Sequence, residues 1–177
     1  MIRRSPLDGI AFLENLRELP FVPQFAVRVA PAKVGATTPL IGFELPGEPN
    51  TVAVDERLAA LWLGPDEWLV VGLADETELR EALAPVGGSV VDVSANRTTL
   101  ELRGPRAREL LEFGCPIDLH PRVFGPGRCA QTLLARANVL IWHVADEPEA
   151  TWRLFVRPSF AAYVAAWLAD AADGLMD

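Results

Sequence analysis

The sequence predicts an α+β fold, in which mainly antiparallel sheets carry packed helices and the 177 residues form one unit with two small lobes. Three observations predict it. Short period-two runs are joined by turn residues, a helical apolar stripe stands near the C-terminus, and no βαβ segment carries a glycine fingerprint. The last point disfavours a doubly wound nucleotide fold.

Taken in order, Ser5-Pro6-Leu7-Asp8 reads as a helix start, with Ser5 as N-cap, Pro6 at the first position and Asp8 near the positive end of the dipole. Ile10, Leu13, Leu16 and Leu19 supply an apolar side, and Pro20 and Pro23 end this helix, expected over 6–19. From Gln24 to Ala30, Phe25, Val27 and Val29 alternate with Gln24, Ala26 and Arg28 as in a half-buried strand. A loop with Gly35 and Pro39 is expected next. The strongest hairpin runs from Ala60 to Gly72 around Gly64-Pro65-Asp66-Glu67, where Pro65 presets the turn and Trp62 faces Trp68. Thr77 to Leu83 reads as a short helix. Gly87-Gly88 is the expected boundary between lobes 20–88 and 89–175, because new strands begin there at Ser89–Val93 and Thr98–Arg103, the latter with Leu100 and Leu102 inward. Pro105 opens a helix over 106–113 that Gly114 closes. Strands follow at 130–135, 139–145 and 151–157. Ser159 is read as the cap of a last helix whose Phe160, Tyr163, Val164, Trp167 and Leu168 recur at i, i+3, i+4, i+7 and i+8.

Composition narrows the function. A chain of this length can bury roughly 70% of its unfolded surface, so it needs no disulfide or metal to fold. The net charge is −8, with one lysine, Lys33, among sixteen basic residues. That balance argues against a phosphate-tracking surface, so nucleic acid is not an expected partner. Arg103, Arg106 and Arg108 form the nearest approach to a basic patch and read as a solvated face. Two cysteines make no secretory framework, the N-terminal segment lacks a signal-peptide pattern, and the alanine-rich end is broken by Asp170 and Asp173. A cytoplasmic protein with no membrane partner is expected.

Residues 109–134 concentrate both cysteines, His120 and three glycines. A metal held by Cys115, His120, Cys129 and His143 would need ligands paired within a tight turn, and these stand five, nine and fourteen positions apart. Cys115 follows a helix C-terminus, where the dipole disfavours a thiolate, and Cys129 opens an apolar strand. Gly125-Pro126-Gly127-Arg128 leads into a strand instead of a helix N-terminus, which is the wrong context for a phosphate cradle. No G-x-S-x-G elbow occurs, and the acidic pairs Asp66-Glu67, Asp75-Glu76 and Asp146-Glu147 sit in turns or at a helix start. No catalytic residue, metal ligand or cofactor of its own is therefore expected, and the surplus of aromatic residues points to a chain that binds another protein.

Several stretches, in order, resemble the gamma-subunit family of heterotetrameric sarcosine oxidases. They are Arg3 to Leu7, Leu61 to Leu69 (LWLGPDEWL), Val91 to Ser94 with Asn96 and Arg97, Leu102 to Pro105, Gly114 to Pro121 (GCPIDLHP), Phe124 with Gly127 to Leu133 (GRCAQTL), and Val156 to Phe160. Within that family Cys115, Pro116, Asp118, Gly127, Cys129, Gln131 and Thr132 belong to a signature loop with no cofactor assigned to it. Gly114 and Pro116 stop the helix there, and Gln131 and Thr132 are placed to satisfy loop backbone groups. The resemblance implies a structural subunit in a complex that oxidatively demethylates sarcosine to glycine and passes the one-carbon unit to tetrahydrofolate. Its implied partners are alpha, beta and delta subunits carrying FAD, FMN, NAD, tetrahydrofolate and zinc. The family is also similar in fold to folate-binding aminomethyltransferases such as the glycine-cleavage T-protein. In that comparison Asn138 to Trp142 takes the place of a catalytic carboxylate, which implies a scaffold without the folate chemistry. A stand-alone folate-binding or methyl-carrier domain is the alternative, with Asp92, Arg97 and Trp142 as its pocket.

Overall fold

The computed structural model describes residues 4–10 and 13–175. Arg3 of the N-terminal motif and positions 11 and 12 of the expected first helix lie outside the described residues. Among the described residues the strands are β1 (Leu16–Leu19), β2 (Gln24–Arg28), β3 (Val52–Val54), β4 (Leu58–Gly64), β5 (Glu67–Gly72), β6 (Ser89–Asp92), β7 (Thr98–Arg103), β8 (Cys129–Leu134), β9 (Ala137–Ala145) and β10 (Thr151–Val156). The helices are α1 (Thr38–Ile41), α2 (Glu76–Leu83), α3 (Ala107–Glu112) and α4 (Pro158–Leu175). Every strand pairing is antiparallel, so the α+β expectation holds. The chain divides into two compact units, Val22–Ser94 and a second made of the N-terminal segment to Phe21 with Ala95 onward.

The 22–94 unit is a five-stranded sheet in the order β3-β4-β5-β2-β6. Its hairpin follows the expected register, with Trp62 opposite Trp68 and a bulge between Trp62 and Gly64. Trp68 is buried and its indole donates to the Pro46 carbonyl at 2.8 Å, which removes the cost of burying an N–H. Phe25, Val27, Val70, Leu79, Leu83 and Val90 complete the core on that side, each large side chain contributing about 1.5–3 kcal/mol by leaving water. Gly72 must be glycine. Its φ is +128°, and a Cβ there would sit 2.2 Å from the Arg57 carbonyl oxygen. The lobe boundary expected at Gly87-Gly88 falls later, at Ser94, because β6 pairs with β2 through Val27 and Val90 and so completes this sheet. The stretch expected as a loop around Gly35 and Pro39 forms a 3-10 turn, Pro31–Ala36, and then α1.

Asp75 starts α2 by accepting from the backbone N–H groups of Thr77 (2.8 Å) and Glu78 (3.0 Å). These are two of the donors that a helix start leaves without intrahelical partners. Asp75→Ala is expected to lower the unfolding free energy by about 1 kcal/mol, read as a shifted urea midpoint at unchanged slope, with Asp75→Asn losing less.

The other unit is a five-stranded sheet ordered β1-β7-β10-β9-β8. One face carries Leu16, Leu100, Leu102, Ile141, Trp152 and Leu154 against α3, α4 and the connections between them. The expected helix over 6–19 is overturned: Leu16–Leu19 is a strand laid along β7, with Leu16 opposite Leu102. The spacing of Leu13, Leu16 and Leu19 suits a helix, but a free sheet edge supplies backbone hydrogen bonds and a buried seat for Leu16 that an isolated helix lacks. Ser5 caps a turn, accepting from the Leu7 N–H at 2.9 Å and donating to Glu18 at 2.6 Å. In α4 the first helical residue is Pro158, with the Arg157 carbonyl accepting from the Phe160 N–H, so Ser159 is inside the helix and is not its cap. The inward stripe is Ala161, Val164, Ala165 and Leu168, while Phe160 and Tyr163 are each 39% exposed. Long side chains lean toward the helix N-terminus, and the small Ala161 and Ala165 let α4 approach the sheet closely.

Candidate functional site

The Cys- and Gly-rich stretch is built from α3 outward. Leu110 and Leu111 bury, and the helix stops where the Gly114 and Cys115 N–H groups both return to the Leu111 carbonyl. A Cβ at Gly114 would stand 2.6 Å from the Trp167 ring and 3.0 Å from the Ala135 nitrogen, so glycine lets α4 and the β8–β9 turn meet there. The Ala135 N–H donates to the Gly114 carbonyl at 2.9 Å. Beyond Pro116, Asp118 accepts from the His120 N–H at 2.8 Å, and the His120 carbonyl accepts from Val123 and Phe124, closing a turn anchored by buried Leu119 and Phe124.

Two side chains remote from this loop hold it. Arg108 donates to the Leu119 carbonyl and, at 3.5 Å, to that of Phe124, with its guanidinium 5.3 Å from the Trp152 ring and 3.7 Å from Asp146. Its side chain is only 18% exposed, which corrects the reading of Arg103, Arg106 and Arg108 as a solvated face. Arg103 is paired with Glu101, and Arg106 with Glu109. His143, fully buried, lies with Nδ1 3.1 Å from the Phe124 carbonyl oxygen and its ring stacked 4.1 Å from Trp152 at an interplanar angle of 3°. A carbonyl can only accept, so the Nδ1 hydrogen donates here. Nε2 stands 3.0 Å from Asp146 Oδ1 without forming a hydrogen bond to it. The Gly127 N–H donates to the His143 carbonyl and the His143 N–H to that of Arg128, extending the β8–β9 ladder into the loop. Loop carbonyls are thus satisfied by Arg108 and His143, whereas Thr132 meets the Cys115 thiol at 3.9 Å. Sequence reading missed both roles, because neither residue is near the loop's carbonyls in the chain.

The four residues weighed above as a metal set are not brought together: His143 is committed to Phe124, His120 is exposed on a turn, and among the described residues no three His, Cys, Asp or Glu side chains converge. Both cysteines are buried and outside any disulfide, and Cys129 is wholly inside, opposite Trp142 in the β8–β9 ladder.

Pro116, Gln131 and Thr132 of the signature set line a cavity of about 700 Å³ together with Arg97, Arg157 and Phe155. A neighbouring one of about 420 Å³ shares both arginines. Of the alternative folate trio, Arg97 lines this space. Trp142 does not; it is buried under the Arg153 guanidinium, 5.1 Å from its ring. Asp92 belongs to the 22–94 unit and accepts from the Ser94 N–H and hydroxyl at 2.8 and 2.6 Å, the hydrogen bonds of a turn.

A third cluster lies on the sheet face bearing Trp142. Glu101, 1% exposed, is flanked in register by Arg17 on β1 and Arg153 on β10, with Arg103 two residues along. Arg17 reaches it at 2.6 and 2.8 Å, Arg103 at 2.8 Å and Arg153 at 3.4 Å. Burial pushes the carboxyl up, but the hydrogen bonds and charges of Arg17 and Arg103 outweigh it and hold the group below its ordinary value of 4.5.

The family model of the sarcosine oxidase gamma subunit matches residues 26–174. The chain is 42% identical to the gamma subunit of sarcosine oxidase from an Arthrobacter species and 39% identical to that of Corynebacterium sp. strain P-1, each covering 96% of this chain and 90% of the relative. In three dimensions it is similar to a chain of the heterotetrameric sarcosine oxidase from Corynebacterium sp. U-96, solved in complex with pyrrole 2-carboxylate, with a TM-score of 0.87, 36% identity, and coverage of 99% and 97% of the two chains. Likeness of that extent, running through both units and through the loop that Arg108 and His143 hold, makes this chain a member of the sarcosine oxidase gamma subunit family.

Proposed function

We propose that the chain is a non-catalytic assembly subunit of a heterotetrameric sarcosine oxidase, working in the cytoplasm. The observation that carries this reading is the end-to-end likeness to a chain of a solved heterotetramer. The local chemistry supports it. Two side chains that would be candidates for acid–base or nucleophilic work are spent on internal structure: His143 fastens a carbonyl and stacks on Trp152, and Cys129 is buried within the sheet. In this reading oxidative demethylation of sarcosine to glycine, and one-carbon transfer to tetrahydrofolate, belong to alpha, beta and delta partners carrying FAD, FMN, NAD, tetrahydrofolate and zinc. The chain contributes rigid surface.

The test is affinity purification of the tagged chain from its own cell. Larger flavin-bearing subunits are expected to accompany it, with sarcosine-dependent hydrogen peroxide from the complex and none from the chain expressed alone. Recovery as a lone monomer, or turnover of sarcosine by the lone chain, overturns the reading.

A further inference from the structure

Among the described residues, no Asp or Glu lines either of the two cavities that share Arg97 and Arg157. The molecule as a whole carries 24 acidic against 16 basic residues. Local charge is therefore opposite to the global charge, and an anionic group finds here a positive site on a negative protein. The polar lining of the larger cavity beyond the arginines is Gln131, Thr132 and Asn138, uncharged groups that suit a carboxylate's oxygens.

The apolar part decides what kind of anion fits. Leu140 and Phe155, 3% and 1% exposed, form the floor of the larger cavity, and Leu133 and Phe160, each about 40% exposed, stand at its rim. Tyr163, one helical turn beyond Phe160, is equally exposed. A small acid seated between the guanidinium groups would leave that rim in water. A polypeptide segment with an acidic residue next to apolar ones covers both at once, and exposed aromatic side chains beside arginine are the composition that carries interface energy.

We propose that this groove receives a segment of a partner subunit in which a carboxylate, from an acidic side chain or a chain end, stands beside an apolar side chain. The carboxylate pairs with Arg157, backed by Arg97, and its neighbour packs on Leu133 and Phe160. This rests on the assembly-subunit reading above and adds to it a surface and a chemistry.

The experiment compares tagged wild type, Arg157→Glu and Arg157→Lys purified from the native cell, with the larger sarcosine oxidase subunits identified by mass. Charge reversal is expected to cut their recovery about tenfold at physiological salt, and Arg157→Lys to fall between, at an unchanged melting temperature of the isolated chain. Phenylglyoxal labelling of unaltered protein provides a readout that needs no variant. Arg157 should label readily in the isolated chain and several-fold less in the assembled complex. Equal recovery with Arg157→Glu, together with equal labelling free and assembled, overturns this proposal and leaves the subunit reading standing. Recovery of no larger subunit by the wild type overturns both. Protection of Arg157 in the isolated chain by millimolar succinate overturns it in favour of a free small acid.

Discussion

Trp152→Ala is expected to lower the unfolding free energy by about 3–5 kcal/mol, the range for deleting a buried aromatic side chain. Trp152 is completely buried and lies in a run of stacked rings, 4.1 Å from His143 and 5.8 Å from Phe124, with the Arg108 guanidinium 5.3 Å from its own ring. Removing it opens a cavity at the point where the two side chains holding the Leu119–Phe124 segment are themselves supported. The loss should therefore be local as well as global, and trypsin should cut faster after the exposed Arg122. Trp152→Phe separates packing from polarity. The indole N–H is buried with no hydrogen-bond partner, so phenylalanine removes an unsatisfied donor while keeping a ring between its neighbours. That variant is expected to lose less than about 1.5 kcal/mol. Urea denaturation followed by circular dichroism, with limited proteolysis alongside, checks both. A loss below 1 kcal/mol for the alanine variant, at an unchanged cleavage rate, would refute the role given to the stack.

What could be read from the sequence divides by range along the chain. The Trp62/Trp68 hairpin was legible because two apolar runs flank a turn that Pro65 presets, which fixes the pairing within thirteen residues, and the Leu100/Leu102 strand because its own alternation names its buried face. Leu16–Leu19 was not, since only the β7 edge, about eighty residues later, makes a strand of it, and the local pattern favours a helix. α4 was recognised as a helix, yet its face was misjudged by one position: the alanines that permit close packing carry no hydrophobic weight against Phe160 and Tyr163. The supports of the loop were invisible in the sequence, because Arg108 and His143 reach its carbonyls only once α3 and β9 flank the same face. Glu101 shows the limit most plainly. Alternation turns it away from Leu100 and Leu102, but nothing local says that Arg17 and Arg153 will flank it.

That cluster leads to the second large effect. Glu101→Ala should cost about 2–3 kcal/mol at neutral pH, below the 3–5 kcal/mol typical of breaking a buried ion pair, because the three guanidinium groups left behind are 57%, 43% and 30% exposed and water relieves part of their repulsion. The pH dependence identifies the mechanism. The folded carboxyl titrates below its unfolded value, so its contribution is fully present above the unfolded pKa and is lost as pH falls through the folded one. The gap in stability between wild type and Glu101→Ala should therefore be constant from pH 8 down to about 5 and shrink steadily in more acidic solution. Glu101→Gln keeps an acceptor oxygen but brings an amide N–H to face arginines, and its loss is expected to be of similar size. Added salt should narrow the gap only slightly, since the carboxylate itself is out of water while its partners are not. A gap unchanged between pH 7 and pH 3 would mean that Glu101 acts through packing, and the charge argument would fail. A gap that closes on acidification identifies the charged carboxylate as what lets Arg17, Arg103 and Arg153 share one face of the β1–β7–β10 sheet.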